Sequence, residues 1–334
     1  MFVQPRVLSI LTTRRCTAQC DHCCVGASPR ATGAIPIERI HGLIDEARRI
    51  PSMERIVFTG GECFLLGADL VALVAHAHSL GFETRAITNG YWAVNAKAAC
   101  ERTAALRQAG LDEMMLSTGT FHQRFVPVER IANAARAAVM AGILTLVSIE
   151  ECDQSTFDAA PLTSALEPFI AEGMVRLSHT PWIPDAGGRG SAQLTHRRAH
   201  DMGIANGDAR CAQILTIVSV TPDGILTACC GFPMEELTAL RIGSVAERAL
   251  DEVLRDTPND LFKMWLHVEG PAGIAKFVAR HVPGYQLPAF ASVCEACVHV
   301  QRDARAMAVV AEHGADVVQR IAERFVALQR HTAP

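Results

Sequence analysis

Short apolar runs recur along the first half of the chain, each followed by a stretch of different period. The runs at 7–11, 55–58, 83–87, 114–117, 144–149 and 174–177 have the length of strands. Between them, apolar residues fall three and four apart, as Ile37, Ile40, Ile44 and Ala47 do, and as Leu70, Leu73, Val74 and Ala77 do. That is the period of an amphipathic helix. Pro36 suits the first helical position of the former. A further helical pattern over 96–108 carries Cys100, which reads as a small core residue. Six β–α units of about 30 residues have the usual βαβ length. Such units predict a parallel sheet with helices outside and a ligand site at the C-terminal edge of the strands. The expected fold is therefore α/β, a partial (β/α)6 TIM-like barrel.

The pattern changes beyond residue 200. The runs 218–221 and 225–228 flank Pro222-Asp223-Gly224 as a hairpin would. The stretch 302–328 reads as a helix whose stripe of Met307, Val310, Val317, Val318, Ile321 and Phe325 faces a core. These changes divide the chain into a barrel over 1–190, a smaller hairpin-plus-helix module over 191–300 and a C-terminal helix over 301–334.

Composition narrows the class. The 334 residues are 49% apolar, yet no apolar run is long enough to span a bilayer. The first fifteen residues lack the layout of a signal peptide, so a cytoplasmic enzyme is expected. A net charge of −4 gives no electrostatic case for nucleic acid or an anionic membrane as partner. Twelve cysteines in an unsecreted chain suggest metal or redox use before disulfides. The thirteen histidines show no metal-binding spacing.

The cysteines carry the chemistry. Cys16, Cys20 and Cys23 form a CxxxCxxC run directly after the first strand. Three thiolates so spaced can wrap one loop around three irons of a [4Fe–4S] cluster and leave the fourth iron open, which makes it a reaction site. Zinc is the competing reading, with Cys24 or His22 as a fourth ligand. The second strand then runs straight into Thr59-Gly60-Gly61-Glu62. With both motifs in that order, the sequence resembles the radical S-adenosylmethionine (SAM) enzymes, whose cysteine loop follows strand one and whose GGE motif ends strand two.

The resemblance implies roles for individual residues. SAM would chelate the open iron through its amine and carboxylate, with Gly60 and Gly61 allowing close backbone approach. Glu62 would accept a hydrogen bond from the SAM ammonium. His22 holds the place of an aromatic residue near the adenine, and Cys63 stands where many relatives have proline. Asn89 and Ser117, at the ends of strands three and four, would meet the ribose hydroxyls and the methionyl carboxylate. Asn89-Gly90 is equally an ordinary turn signal. Gly119 replaces an aspartate that many relatives carry two residues after the serine. Arg189, in the glycine-rich Pro184-Asp185-Ala186-Gly187-Gly188-Arg189-Gly190 loop, would touch SAM or substrate, or be a salt-bridged linker residue.

Cys211, Cys229, Cys294 and Cys297 make a second group. Four thiolates could enclose a complete [4Fe–4S] cluster, and an all-cysteine site fits zinc as well. The tail resembles the twitch module, a shortened SPASM domain, and thereby implies an auxiliary iron–sulfur cluster. Gly224, five residues before Cys229, and Ile242-Gly243-Ser244-Val245 match that module. Cys63, Cys152 and Cys230 lie near strand ends or cluster ligands and are candidates to return a hydrogen atom to a substrate radical.

By this resemblance the chain cleaves SAM reductively to a 5′-deoxyadenosyl radical, which takes a hydrogen atom from a natural-product substrate. A flavodoxin- or ferredoxin-type protein would supply the electron. The cluster layout points first to dehydrogenation of an aminocyclitol or sugar-like small molecule, with the auxiliary cluster assisting oxidation. Epimerisation or cross-linking of a ribosomally synthesised peptide is the alternative. A non-catalytic iron–sulfur electron carrier is the alternative from another class, disfavoured because a carrier has no use for the GGE motif.

Overall fold

A computed structural model describes residues 4–151, 155–181, 210–229, 237–256, 260–285 and 293–332. Its barrel half alternates strand and helix: β1 (Val7–Leu11), α1 (Ile37–Ala47), β2 (Arg55–Thr59), α2 (Ala68–Ser79), β3 (Glu83–Thr88), α3 (Ala96–Gln108), β4 (Glu113–Gly119), the single turn α4 (Thr120–Gln123), α5 (Val128–Met140), β5 (Leu144–Glu151), α6 (Ala160–Ala171) and β6 (Val175–Pro181). The second half comprises β7 (Ile217–Val220), β8 (Ile225–Thr227), β9 (Arg241–Ser244), α7 (Leu250–Arg255), α8 (Leu261–Val268), α9 (Gly270–His281), α10 (Val293–Arg302), α11 (Ala304–His313) and α12 (Val318–Thr332).

Side-chain alternation along each strand decides where the core and the site fall. Leu8 and Ile10, Ile56 and Phe58, Met114 and Leu116, and Val147 and Ile149 point outward into one apolar core shared with the helices. The intervening residues point inward: Ser9 and Leu11, Val57 and Thr59, Arg85 and Ile87, Met115 and Ser117, Ser148 and Glu150. They line a cavity of about 620 Å³. Helix packing follows the expected stripes. Leu70, Leu73, Val74 and Ala77 are the buried face of α2, and Ile40, Leu43, Ile44 and Ala47 that of α1. Pro36 is the cap residue and the helix begins at Ile37, one residue later than expected.

The hairpin expected around Pro222-Asp223-Gly224 is present, and it is part of the barrel's own sheet. Strand β7 lies parallel to β1 with Val7 opposite Ile217 and Ser9 opposite Ser219. The order through the described residues is β6-β5-β4-β3-β2-β1-β7-β8-β9, with β8 and β9 antiparallel. Gly224 adopts φ +74° at the turn, and Asp223 beside it pairs with Arg14 at 2.6 Å. Arg39 on α1 pairs with Glu46 and donates to the Val245 carbonyl, while Glu46 accepts the Leu250 N–H. The second half is thus tied to both the first strand and the first helix.

A second core lies among α8 to α12 around Trp265, Ile274, Phe277, Ile321 and Phe325. Two sequence expectations change here and on α3. The single helix over 302–328 divides at Gly314 into α11, a 3-10 turn and α12. That break rephases the stripe so that Val317, Ile321 and Phe325 are buried while Val318 is exposed. Cys100 is exposed, because Ala99, Thr103 and Leu106 form the inward face of α3.

Ile56→Ala should cost about 2–5 kcal/mol, since Ile56 is fully buried and its methyl groups leave a void. Cys100→Ser should change stability by no more than about 0.5 kcal/mol. Thermal unfolding of the two variants beside the parent chain checks both.

Candidate functional site

The ends of β1 and β2 are joined backbone to backbone. The Gly61 N–H donates to the Thr13 carbonyl at 2.6 Å and the Glu62 N–H to the Arg15 carbonyl at 3.0 Å. Gly60 holds φ +130°, and a Cβ there would lie 2.6 Å from the Thr13 oxygen; one on Gly61 would lie 2.3 Å from the Arg15 oxygen. Close approach is what both glycines serve, and the nearer object is the cysteine loop's own backbone.

Glu62 is fully buried and organises the next layer. One carboxylate oxygen accepts from the Phe64 N–H at 3.0 Å and the Thr88 hydroxyl at 2.8 Å, the other from the Asn89 N–H at 2.8 Å. Burial pushes its pKa up to about 7, against the pull of these donors. The side chain sits behind the cavity wall and ties the end of β2 to the end of β3. Asn89 does line the cavity. Its amide donates to Thr17 Oγ1 at 3.1 Å and toward Cys16 Sγ at 3.5 Å.

Cys16, Cys20 and Cys23 all face the cavity, with Ala18 and Ala27 as small neighbours. Burial raises the Cys16 thiol to about 11, so a thiolate there needs a cation beside it. The Ala18 N–H and the Asn89 amide already point at that sulfur, as donors to a metal-bound thiolate do. Cys20 Sγ and one ring nitrogen each of His22 and His122 lie within 4.8 Å of one another.

Within the same loop, the His22 ring stacks on Phe121 at 5.0 Å and meets His122 edge-on at 4.9 Å. Burial lowers the His22 pKa to about 3, and its Nδ1 is buried with no hydrogen-bond partner. A neutral, flat ring at this place suits a stacked base. His122 Nδ1 lies 3.0 Å from Glu150 Oε2, and the other oxygen of Glu150 accepts the Phe121 N–H at 2.7 Å. A Cβ on Gly119 would lie 1.8 Å from the Glu150 carboxylate. The space left at 119 is therefore filled by an acid from β5. Ser117, Ser148 and Thr180 line the same cavity, the latter two bonded at 2.8 Å.

His122 and Glu150 carry no role in the motif reading. The available signal was period: Glu150 falls two residues after Ser148, on the inward face of β5. Cys63 departs from its expected place near the ligand. It is buried in the outer core and donates to the Ile87 carbonyl at 3.2 Å. Cys152, Cys230 and Arg189 lie outside the described residues.

The second thiol group gathers at the edge of the second core, where Cys211, Cys229 and Cys297 pack. Cys294 and Cys297 lie on α10, and the Cys211 N–H donates to the Leu266 carbonyl at 3.0 Å. Burial first, then the neighbouring Cys211, pushes Cys294 up to about 11 and Cys297 up to about 12. Gln301 donates its amide to Cys297 Sγ at 3.0 Å.

Three cavity-facing cysteines on the loop after β1 of a partial α/β barrel make a candidate metal centre. Residues 10–149 match the model of the radical SAM superfamily. It is 30% identical over 128 residues to YydG of Bacillus subtilis (strain 168), whose name assigns it to peptide biosynthesis; the match covers 38% of this chain and 40% of that protein. Streptococcus suis SuiB, in its structure with the precursor peptide SuiA, superimposes with a TM-score of 0.59 at 14% identity, over 88% of this chain and 76% of that one. The enzyme anSMEcpe with AdoMet and the Kp18Cys peptide gives a TM-score of 0.52 at 13% identity, over 77% and 81%. These structures share the fold. No helix among the described residues is long and apolar enough to cross a membrane.

Two outcomes follow from the site. Glu62→Gln would set an amide N–H against the Asn89 N–H; it should cost about 1–3 kcal/mol and lower both the melting temperature and the iron yield on reconstitution. His22 gains its charge below about pH 6.5 in an unfolded chain but stays neutral in the fold down to about 3. Stability is therefore lost as pH falls through that window. His22→Phe keeps the stack on Phe121 and should flatten this acid limb in melting curves of the cluster-free protein; parallel curves would overturn the assignment.

Proposed function

We propose that this chain modifies a peptide, using SAM seated in the cavity against the cysteine loop, which includes His22, and a second cluster held by Cys211, Cys229, Cys294 and Cys297. The observation that carries the peptide reading is the 30% identity to a protein named for peptide biosynthesis. The cavity supports it: about 620 Å³, within the ~300–1,000 Å³ typical of ligand sites, and lined by residues of seven strands, β1 to β7. Once bound, the cluster and SAM would supply radical chemistry directed at an unactivated C–H bond of the substrate.

The chain's own residues bind and orient. Cys16, Cys20 and Cys23 hold three irons, with Asn89 and the Ala18 N–H steadying the first thiolate. Ser117 and the Asn89 amide are the polar groups offered to SAM, and Glu62 acts on SAM through the Asn89 backbone it fixes. The His22–Phe121 wall excludes water from the adenine side, and the His122–Glu150 pair presents a polar, proton-bearing group to the cavity. A flavodoxin- or ferredoxin-type protein in the cytoplasm is the proposed electron donor.

The reading predicts that the reduced, reconstituted protein releases 5′-deoxyadenosine faster with a synthetic peptide encoded beside its gene than with an aminocyclitol. Stimulation by the aminocyclitol alone would replace the peptide with a small molecule. Absence of any 5′-deoxyadenosine with SAM bound and clusters intact would sink the enzymatic reading. The second cluster has its own test. A variant with Cys16, Cys20 and Cys23 all changed to alanine should retain about four irons after anaerobic reconstitution. Zinc in their place would make the four-cysteine site structural.

A further inference from the structure

The histidines show no metal-binding spacing in sequence, yet the fold brings two of them together far from the cavity. His281, His313 and Asp316 each offer a ligand atom within 4.8 Å of the others'. His281 is the last residue of α9 and His313 the last residue of α11; Asp316 lies in the 3-10 turn that follows. The two rings stack at 4.5 Å with 22° between their planes.

Three features fit this trio to a divalent cation. His281 Nδ1 lies 3.0 Å from the Phe277 carbonyl. A carbonyl only accepts, so Nδ1 carries the proton and the lone pair is on Nε2. Metal-bound histidines are commonly fixed this way by a backbone oxygen. Next, His313 Nδ1 is 3.8 Å from Asp316 Oδ2, too long for a hydrogen bond but short enough for an ion to bridge. Finally, the C-terminal ends of two helices meet here, and both carry partial negative charge that favours a cation.

We propose that His281, His313 and Asp316 form a zinc site, with water as fourth ligand, that clamps α9 to α11. Two imidazoles and a carboxylate are a donor set suited to zinc. Both helices pack against α10, which bears Cys294 and Cys297. The clamp's function is structural: it fixes the two helices that pack against α10, and it is independent of the chemistry in the barrel.

The test uses the full chain, reconstituted with iron and sulfide, then equilibrated with zinc and dialysed. The parent should retain one zinc more than His313→Ala, at equal iron content, and its zinc X-ray absorption should show nitrogen and oxygen neighbours at about 2.0–2.1 Å. Zinc should also raise the melting temperature of the parent and leave that of His313→Ala and His281→Ala unchanged. Equal zinc retention in parent and variants, or sulfur neighbours near about 2.3 Å, would overturn the site. Iron content and the zinc-free melting temperature of each variant show whether it has folded, so a misfolded protein is not mistaken for a lost ligand.

Discussion

The backbone contact between the Gly60-Gly61-Glu62 turn and the Thr13-to-Arg15 segment is what the rest of the site hangs on. Strand pairing brings Leu11 opposite Thr59, and the chains stay in register for two further hydrogen bonds past the end of the sheet. The cysteine loop has only a small apolar cluster of its own, Cys16, Ala18, Cys20 and Ala27 against Phe121. Here it borrows rigidity from β2, and the space it requires is available only because residues 60 and 61 lack a Cβ. Glu62 passes the constraint on to β3 through Thr88 and Asn89, and Asn89 returns it to Cys16. The cluster loop, the glycine turn and the third strand end are one hydrogen-bonded unit.

The cavity is a consequence of incomplete closure. In a closed eight-stranded barrel the inward side chains fill the interior. In this chain the six-stranded arc leaves space, and the inward positions become ligand-facing walls. Strand β7 continues the arc on the β1 side, so the segment that leads to Cys229 is built onto the same sheet as the first cysteine loop. The Gly119–Glu150 relation shows how such a wall is specified. A carboxylate is present, its position along the cavity set by β5, and only a glycine on β4 leaves room for it.

Elements with a strong local signal were legible before the fold was known. The buried residues of α2 are the four its period marks, and β1 to β5 end no more than two residues beyond their apolar runs, while β6 extends four past its own. Cys100 was misread because a cysteine on a helix takes its environment from neighbours in space, and one residue's shift of face puts Ala99 inside instead. The break at Gly314 was hidden by an apolar stripe that is nearly continuous through it. At the site, the motif residues stand out because their spacing is local. Glu150, His122 and the role of Glu62 depend on contacts between strands, which no spacing along one strand encodes. The same holds for His281 and His313, thirty-two positions apart, whose meeting is a product of helix packing.

The two thiol groups differ in how much of their shape exists before any metal arrives. Cys16, Cys20 and Cys23 lie on one short loop pinned by backbone bonds, so loading the loop asks little of the fold. Cys211, Cys229 and the α10 pair come from segments distant in sequence and meet at the edge of a helical core. Burial holds Cys294 and Cys297 as neutral thiols in the absence of a cation. On the proposed reading, binding iron there must both remove protons and hold α10 against the segments before and after the β7–β8 hairpin. Metal loading at such a site is linked to folding, and each stabilises the other. A second clamp on α9 and α11 would lower the entropy lost in that step by fixing in advance the two helices that pack against α10.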